Sequence, residues 1–484
     1  MPELLALVKH DCPVCDQVLP SFDAAGVRVL SQSSAQDTEA QAARLGLGTV
    51  PELDVDLELS ARLDPDAVPT LVLLDGSDER GRVEGLDRQG MLELAAQAGV
   101  ELDLDGLPAI RPGCASLTRD PEVAARLAAR RARDEGRIRS RELRIGELED
   151  TFEALHERGL TDGLPVVPPT PERVVAMLEH TSRDPQDVVG VVPPYGGEAT
   201  VEKVAVNAVM AGCAGPELPV VLAAVEAVCD ETFAMHGLLA TTHPAGPVIV
   251  VSGFDGFNTG VNVLGQGDRA SMTAGRALQL VVRNVGGGRP GVEDRAAHGQ
   301  PGKLGLCFGE RLDETAPWPG LAQDRGVPEG EPGVTVVALE APRVIVDQLA
   351  REPEGLCASL AMALENVATP RLRLAFDALL LVGPEHGRIF KEAGWTRAQV
   401  QQRLHELTHA PAGSIVRGAG GSPEGIEAQW VTDPSQPVAK FAAPDRILLA
   451  YAGGDAGLFS MVFGGWAAGE IGSAPVTRSI APWV

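Results

Sequence analysis

Two cysteines separated by two residues, Cys12 and Cys15, directly follow an apolar run at residues 4–8 that is typical of a strand. A C-x-x-C motif at the exit of a strand and the start of a helix can form a redox-active dithiol. The helix N-terminus carries partial positive charge and unpaired N–H groups, which favour a thiolate over a thiol. The spacing lets the second sulfur attack a mixed disulfide formed on the first. The motif therefore predicts electron or sulfur transfer through a redox-active Cys12–Cys15 disulfide, with no other cofactor assigned.

Further nucleophilic and ionisable side chains are spread over the C-terminal two-thirds of the chain. Cys213 follows a predicted helix end, and His243 precedes a predicted strand. A glycine-rich segment from His298 leads to Cys307 and Glu310. Thiol, imidazole and carboxylate groups on loops of one domain suit thiol–imidazole nucleophilic chemistry or a metal site, although each cysteine could equally be a small buried apolar residue. The sequence predicts Cys213, His243 and Cys307 as catalytic residues beside the C-x-x-C pair.

One short pattern resembles a metal site. Residues 405–409 read His-Glu-Leu-Thr-His, which on a helix would place two imidazoles on one face beside a general base, as in the zincin metalloproteases. Pro411 would end that helix directly afterwards, and Glu427 is the candidate for a distant third ligand. A solvated helix end is the favoured interpretation. No metal ligand is therefore predicted, and His405 and His409 are kept as the patterned candidates.

Three glycine-rich turns could bind an anion. Residues 283–289 join the guanidinium groups of Arg283 and Arg289 to a flexible turn that suits a carboxylate or a phosphate. Residues 382–386 and 451–457 each follow a predicted strand, and there free N–H groups could hold an oxyanion. Each turn could also be a tight connection that requires glycine. Together the three turns predict a small-molecule pocket on the loop face of one domain.

The length of the chain, 484 residues, predicts two or three domains. We expect a small α/β domain at residues 1–102 and a linker at residues 103–160 with a long helix over residues 121–153. A larger α/β or α+β domain with a mixed sheet is expected at residues 161–484, because strand and helix patterns alternate there. Long loops, which in enzymes commonly carry function, are predicted at the glycine-rich stretches 253–267, 286–291 and 299–302.

The first domain has a distinctive order of elements. A strand leads into the C-x-x-C and a helix, a second strand and helix follow, and Val68-Pro69-Thr70 precedes a third strand, a return strand and a closing helix. This order, with the two motifs, resembles the thioredoxin superfamily. The resemblance implies that Pro69 is cis and lies against the dithiol, which leaves the preceding backbone free to pair with a substrate chain. It also implies that Cys12 is the attacking thiol and Cys15 the resolving thiol.

The larger domain resembles a family of proteins encoded near small selenoproteins with a UGSC motif. The resembling segments are residues 161–169, 207–213, 240–244, 283–287 and 299–303. This resemblance implies thiol or selenol chemistry. For the whole chain, the residues predicted to bind substrate are Pro69, Asn207, Arg283, Arg289, His298, Lys303, Glu310 and His386.

Charge and composition narrow the range of partners. The formal net charge is −26, and such a surface repels phosphate backbones and anionic lipid, so neither nucleic acid nor a membrane is expected as a partner. Apolar runs fall short of the roughly 20 residues of a membrane span, and no signal peptide is recognisable, so we expect a cytoplasmic protein. The seven scattered cysteines are typical of reduced thiols rather than of a disulfide framework. A homodimer is the default expectation.

We therefore expect an enzyme, a thiol-dependent oxidoreductase or sulfurtransferase that acts on a small anionic metabolite. In this hypothesis Cys213, with Cys307, forms a covalent adduct, persulfide or disulfide, His243 acts as acid and base, and the C-x-x-C pair resets the site. An external thiol reductase or thiol reductant would recharge the pair. Two alternatives stay open: a metal- or histidine-dependent lyase or hydrolase with the N-terminal domain as scaffold or regulator, and a non-catalytic redox-controlled binding protein.

Overall fold

The chain is an α/β protein that divides into two compact units, Met1–Asp134 and Glu135–Val484. The computed structural model describes residues 2–146, 148–265, 267–469 and 472–484. Glu147, inside the predicted long helix, and Gln266, inside a predicted loop, lie outside the described residues. The sequence places domain boundaries at residues 102 and 160, whereas residues 103–134 belong to the first unit. Short strands between residues 110 and 115 pair with strands of that unit and account for the difference.

The first unit is built from one main sheet, its helices and two short strand pairs. Its elements are β1 (Glu3–Val8), α1 (Pro13–Ala24), β2 (Arg28–Ser31), α2 (Ala35–Leu45), β3 (Glu52–Leu53), α3 (Glu58–Leu63), β4 (Ala67–Val68), β5 (Thr70–Asp75), β6 (Asp78–Glu84), β7 (Leu86–Asp87), α4 (Arg88–Gln97), β8 (Ile110–Arg111), β9 (Cys114–Ala115) and α5 (Pro121–Asp134). The main sheet has the order β3-β2-β1-β5-β6, in which β2 is parallel and β5 antiparallel to β1. The order of elements agrees with the prediction from the sequence.

Strand β1 is buried along nearly its whole length, which explains its continuous apolar run. It lies in the middle of the main sheet, between β2 and β5. The register pairs Leu7 with Thr70, so the carboxyl end of β1 lies beside the start of β5. The peptide between Val68 and Pro69 is cis, as the resemblance implies. The segment that leads to Cys12 and the segment around Pro69 are therefore neighbours.

The second unit contains a larger mixed sheet with helices around it. Its elements are α6 (Thr151–Glu157), α7 (Pro171–Leu178), β10 (Val188–Val192), β11 (Gly197–Thr200), α8 (Val201–Ala211), α9 (Leu218–Val228), α10 (Met235–Ala240), β12 (Gly246–Ser252), α11 (Arg269–Asn284), β13 (Leu306–Gly309), α12 (Leu321–Asp324), β14 (Gly333–Leu339), β15 (Arg343–Val346), α13 (Pro353–Glu365), β16 (Phe376–Val382), α14 (Pro384–Glu392), α15 (Arg397–Leu407), β17 (His409–Pro411), β18 (Pro437–Ala439), β19 (Ile447–Tyr451), β20 (Phe459–Ala467) and β21 (Val476–Ser479). The sheet has the order β13-β12-β14-β20-β16-β19, with β15 paired to β20 and β21 paired to β14. Parallel and antiparallel pairs occur together in it, so the predicted mixed sheet is confirmed.

The long helix predicted over residues 121–153 is wrong, because the helix ends early. Helix α5 ends at Asp134, and Gly136 adopts a positive φ of 69°. Glycine in this left-handed conformation is a common end of a helix. A separate helix, α6, begins after Asp150, whose side chain accepts a hydrogen bond from the backbone of the first turn. The one predicted helix is therefore replaced by two separate helices, α5 and α6.

Two parallel strands of the second unit, β16 and β19, bring their carboxyl ends to the same edge of the sheet. The loops that follow them, around Gly383 and residues 452–457, meet there with residues 260–264 of another loop. Small molecules commonly bind outside the carboxyl ends of strands in α/β sheets. This edge therefore forms a candidate pocket, which is lined by residues of two of the three predicted turns but not by residues 283–289.

Cys307, which follows the glycine-rich segment from His298, lies in the buried strand β13. This strand adds in parallel to the edge of β12, where Cys307 is opposite Ile249. Glu310 follows directly, and its N–H donates to the Val251 carbonyl over 2.8 Å.

Every helix among the described residues is too short or too polar to cross a membrane.

Candidate redox site

Cys12 caps the N-terminus of α1 with its sulfur. The Cys15 N–H donates to Cys12 Sγ over 3.3 Å. A hydrogen bond with the Cys15 thiol lowers the pKa of Cys12 most strongly, burial opposes this effect, and the Cys114 thiol adds to the lowering, with a net pKa of about 5. The Val68 carbonyl lies 3.3 Å from the same sulfur and can accept a hydrogen bond only from the thiol form. The groups that can donate a hydrogen bond to the Cys12 sulfur outnumber the one carbonyl that can accept from it, so Cys12 is a thiolate at neutral pH.

Cys15 differs strongly from Cys12 although it lies one helical turn away. It is completely buried, and burial raises its pKa well above the usual value. The hydrogen bond and the negative charge of Cys12 raise the pKa further. One sulfur is therefore ionised and the other keeps its proton, a difference that an attacking and a resolving thiol would need.

Cys114 is a third thiol at this site, and the sequence analysis did not single it out. Strand β9 pairs antiparallel with β4, which places Cys114 opposite Val68, the residue whose carbonyl approaches Cys12 Sγ. Burial raises the pKa of Cys114 most, and its hydrogen bond to Cys12 adds to that effect. The sequence offers one weak signal, a cysteine after Pro112-Gly113 in a stretch that looks like a linker.

Residues 109–116, which we call the strap, lie across the edge of the dithiol site. The strap is held by two short strand pairs, β8 with β7 and β9 with β4. The strap packs so closely against the backbone at Val68 and Gly85 that two positions require glycine. A Cβ on Gly113 would lie 2.7 Å from the Val68 carbonyl oxygen, and a Cβ on Gly85 would lie 2.7 Å from the Gly113 nitrogen. Cys12, beside the strap, has 0% of its surface exposed.

The two predicted cysteines of the second unit, Cys213 and Cys307, are neighbours, but both are buried. Burial raises the pKa of Cys213, and the charge of Glu217 adds to this. Burial also raises the pKa of Cys307 well above its usual value, and the charges of Cys213 and Glu217 act in the same direction. Both sulfurs are therefore protonated, weakly nucleophilic thiols as they stand.

His243 pairs with a carboxylate rather than with a cysteine in the part of the chain that the structure describes. Its Nε2 lies 2.8 Å from Glu340 Oε1, and its ring lies 6.4 Å from the Phe376 ring. Its Nδ1 is buried without a hydrogen-bond partner among the described residues. Glu340 is a further candidate that the sequence analysis missed, since 97 residues separate the pair and no local pattern links them.

The predicted anion-binding arginines lie close together. The pKa of Arg283 is lowered by burial first and by the charge of Arg289 second. Arg283 Nε is buried with no hydrogen-bond partner in the described residues. Asn207 lies on the neighbouring α8 and accepts a hydrogen bond from Asn284 over 2.8 Å, so it joins two helices. A half-buried guanidinium with a free N–H beside a second arginine keeps this turn a candidate for a carboxylate or a phosphate.

Three other predicted binding residues have different surroundings. Lys303 Nζ forms an ion pair of 2.7 Å with Asp294, and both side chains are largely buried. His298 is exposed on its loop. Glu310 is buried and accepts hydrogen bonds from Ser252 Oγ over 2.5 Å and from a backbone N–H of α12 over 2.6 Å. Lys303 and Glu310 thus have protein partners that fix them in the fold.

His386 lies in a hydrogen-bonded pair at the predicted pocket. Its Nε2 lies 3.1 Å from the Asp347 carbonyl, which can only accept, so Nε2 carries the proton and Nδ1 accepts. The Ser460 hydroxyl lies 2.8 Å from Nδ1 and is therefore the donor. Ser460 lines a cavity of about 410 Å³ at the carboxyl ends of β16 and β19, and the Gly383 N–H lies 3.4 Å from its Oγ. Sequence analysis found His386 but not Ser460.

The His-Glu-x-x-His pattern does not lie on one helix. Helix α15 ends at Leu407, and His409 begins the short strand β17. His405 Nε2 bonds to the Phe441 carbonyl over 3.1 Å, and His409 Nδ1 lies 2.8 Å from the His405 carbonyl. Within the described ranges, no cluster of three or more histidine, cysteine or acidic residues is arranged to hold a metal ion.

No family model matches the chain, and no curated protein is similar to it. Among solved structures, the crystal structure of StoA from Bacillus subtilis is similar to part of the chain at 19% sequence identity. The similarity covers 20% of this chain and 82% of StoA, with a TM-score of 0.18.

Proposed function

We propose that this protein is a thiol–disulfide oxidoreductase whose attacking group is Cys12. The observation that carries the proposal is the position of Cys12 Sγ at the N-terminus of α1, where it accepts the Cys15 N–H, with a Cys12 pKa of about 5 beside a buried Cys15 whose pKa is raised. A thiolate is the nucleophile in disulfide exchange, and a thiol with a low pKa is also a good leaving group. The same sulfur can therefore both open a disulfide and be released in the resolving step.

The exchange takes place in two steps. The Cys12 thiolate attacks one sulfur of a disulfide R–S–S–R′, so that a Cys12–S–S–R bond forms and R′–S⁻ leaves. Cys15 gives its proton to R′–S⁻ and attacks Cys12 Sγ, which forms the Cys12–Cys15 disulfide and releases R–S⁻. Two electrons thus pass from the dithiol to the substrate. An external thiol reductant returns them. In sulfur transfer, the Cys12 thiolate would take the outer sulfur of a persulfide donor R–S–SH and release R–S⁻, and Cys15 would then attack Cys12 Sγ, which releases HS⁻ and forms the Cys12–Cys15 disulfide.

A more specific version of the proposal joins the two units. In it, the dithiol resets Cys213 or Cys307 after each turnover of a small anionic metabolite, with His243 as acid and base. Arg283 and Arg289 support an anionic ligand, because the guanidinium of Arg283 has a buried N–H without a partner among the described residues. This version requires one of the buried thiols to become a thiolate, so the chemistry of Cys12 alone is the simpler proposal.

The test of the proposed function is the dithiothreitol-driven reduction of insulin by the full-length chain. Replacing Cys12 by serine removes the thiolate, so we expect the catalysed rate to fall to the uncatalysed rate. Cys229→Ala is the matched control, because Cys229 lies in the second unit and its pKa is raised by burial to about 12. An unchanged rate in Cys12→Ser, or equal losses in both variants, would contradict the proposal.

The geometry of Ser460 and His386 favours a second candidate function, an imidazole-dependent hydrolase. With Nδ1 as the acceptor, His386 can take the proton of the Ser460 hydroxyl as Oγ attacks an ester carbonyl. The alcohol leaves with that proton. Water then gives a proton to His386 and attacks the acyl-serine, which releases the acid and restores the Ser460 hydroxyl. Helix α14, which contains His386 and has no side-chain cap, begins beside this pair, and the free N–H groups of its first turn after Pro384 are the candidate donors to the developing oxyanion. This candidate corresponds to the hydrolase alternative of the sequence analysis, without a metal.

Labelling with a fluorophosphonate ester tests this candidate. We expect one adduct on Ser460, located by peptide mass mapping, and its loss in Ser460→Ala because the nucleophile is gone. His386→Ala should slow labelling at least about 100-fold, which is the usual range for loss of a general base. Ser435→Ala, at an exposed serine, is the control. Labelling of a different serine, or labelling that persists in His386→Ala, would rule the candidate out.

A further inference from the structure

We propose that Cys114 is a third redox thiol, which takes over the disulfide from Cys12 and forms a Cys12–Cys114 bond during turnover. The inference rests on the proposed function of Cys12 and extends it to a site of three sulfurs. Cys114 lies within the first unit, so the exchange needs no movement of one unit against the other.

The position of Cys114 is the first argument. Cys12 Sγ lies 3.3 Å from the Val68 carbonyl, and the register of β4 with β9 sets Cys114 opposite Val68. The Cys114 thiol is close enough to the Cys12 sulfur to interact with it, which lowers the pKa of Cys12 and raises that of Cys114. The strand register and the mutual effect on the two pKa values place the two thiols beside each other, as disulfide exchange between them requires.

The second argument is that the strap is anchored in the position that brings Cys114 to Cys12. Beyond β9, the Ser116 N–H donates to the Asp66 carbonyl over 3.0 Å, and Ser116 Oγ accepts from the buried Gln32 over 2.9 Å. Before β8, the Ala109 carbonyl accepts from the Arg88 N–H over 2.9 Å. Together with the glycine contacts described above, these bonds hold the cysteine against the dithiol. The strap is therefore a fixed part of the dithiol site.

The third argument compares Cys114 with Cys15 as the group that resolves an adduct on Cys12. Cys15 is fully buried, and its pKa is raised well above the usual value. Cys114 is half-buried, and its pKa is raised less strongly, with the charge of Lys9 acting to lower it. The thiol that ionises more easily and lies nearer to solvent attacks faster, so Cys114 competes with Cys15.

The step balances with glutathione disulfide as the oxidant. Cys12 attacks it, which forms Cys12–S–SG and releases one glutathione thiolate. Cys114 gives its proton to that thiolate and attacks Cys12 Sγ, which forms the Cys12–Cys114 disulfide and releases the second glutathione as a thiolate. Two protein thiols are oxidised and one glutathione disulfide is reduced. Cys15 can then attack Cys12 and free Cys114 again.

The experiment uses the full-length Cys15→Ser variant treated with one equivalent of glutathione disulfide, followed by mass mapping of peptides without reduction. We expect a Cys12–Cys114 disulfide and no retained glutathione. The Cys15→Ser/Cys114→Ser double variant is the matched control, and in it glutathione should stay on Cys12. Serine replaces the sulfur with a hydroxyl of similar size, so the packing of the site changes little.

The outcomes separate this inference from the proposed function. If the single variant keeps glutathione on Cys12 while Cys114 stays a free thiol, the role of Cys114 is overturned and that of Cys12 stands. If neither variant reacts at Cys12, the proposed function itself fails. Should Cys15→Ser not fold, Cys15→Ala serves in its place with the same two outcomes: a Cys12–Cys114 disulfide supports the inference, and glutathione retained on Cys12 beside a free Cys114 overturns it.

Discussion

Ultraviolet titration of the reduced protein is expected to show one thiol ionising near pH 5, with that step absent in Cys12→Ser. At pH 7 a thiol with this pKa is about 99% ionised, whereas one with the ordinary value of 9.0 is about 1% ionised, a difference of about 100-fold. Cys15 and Cys114 do not interfere, because the pKa of each is raised. The absorbance of the thiolate is a suitable readout because it does not require a reagent to reach the buried sulfur.

Two further variants test which groups lower the pKa of Cys12, through the direction in which its titration midpoint moves. Cys15→Ala removes the largest contribution to the lowered pKa of Cys12, so the midpoint should move upward. Cys114→Ala should also move it upward, but by less, because its contribution is smaller. Between about pH 6 and pH 8 the wild-type signal should be flat, since Cys12 is already ionised. A single midpoint near pH 9 in the wild type would contradict a Cys12 thiolate.

Replacing Arg276 by alanine is expected to destabilise the second unit by about 3–5 kcal/mol, the usual cost of removing one partner from a buried ion pair. Arg276 Nε and Nη2 bind both oxygens of Asp162 over 2.6 and 2.8 Å, and each side chain is 14% exposed. Burial alone would raise the pKa of Asp162, but the guanidinium more than offsets it, and the pKa lies below its usual range. Without Arg276 the carboxylate stays buried and unpaired.

Thermal or urea unfolding of the full-length chain measures this effect. Arg403→Ala is the matched control, because its pair with Glu354 lies at the surface, with the two side chains 35% and 59% exposed. Such a surface pair contributes about 0–1 kcal/mol. Equal losses of stability in the two variants would show that the buried pair stabilises the protein no more than the surface pair does. The insulin reduction that we propose for Cys12 of the first unit should persist in both variants.

Helices and central strands were predictable where the local sequence suffices. The sequence predicts a helix at residues 269–284, and α11 spans Arg269–Asn284, because Asp268 caps its first turn and apolar residues recur at helical spacing. Strand β20 could not be predicted. Its Gly464 and Gly465 disfavour a strand, yet a Cβ on Gly465 would lie 2.5 Å from the Asp377 carbonyl, so the close approach of β16 requires glycine there.

Only the local part of the candidate redox site was predictable from the sequence. Cys12 and Cys15 belong to one local motif, so their roles follow from the N-terminus of the helix that they begin. Cys114 lies about 100 residues further along and reaches them through a strand pair of two residues per strand, which has no periodic signal. The pair of Ser460 with His386 spans 74 residues in the same way. Contacts that depend on tertiary pairing leave no pattern in a single sequence.

The most direct test of the central claim is to map all seven cysteines of the wild-type chain after treatment with one equivalent of glutathione disulfide. Free thiols are alkylated, and the peptides are identified by mass. We expect every protein disulfide or adduct to include Cys12, with the four cysteines of the second unit, Cys213, Cys229, Cys307 and Cys357, alkylated as free thiols. A chain in which Cys12 stays free while Cys213 or Cys307 is oxidised would contradict the claim and place the chemistry in the second unit.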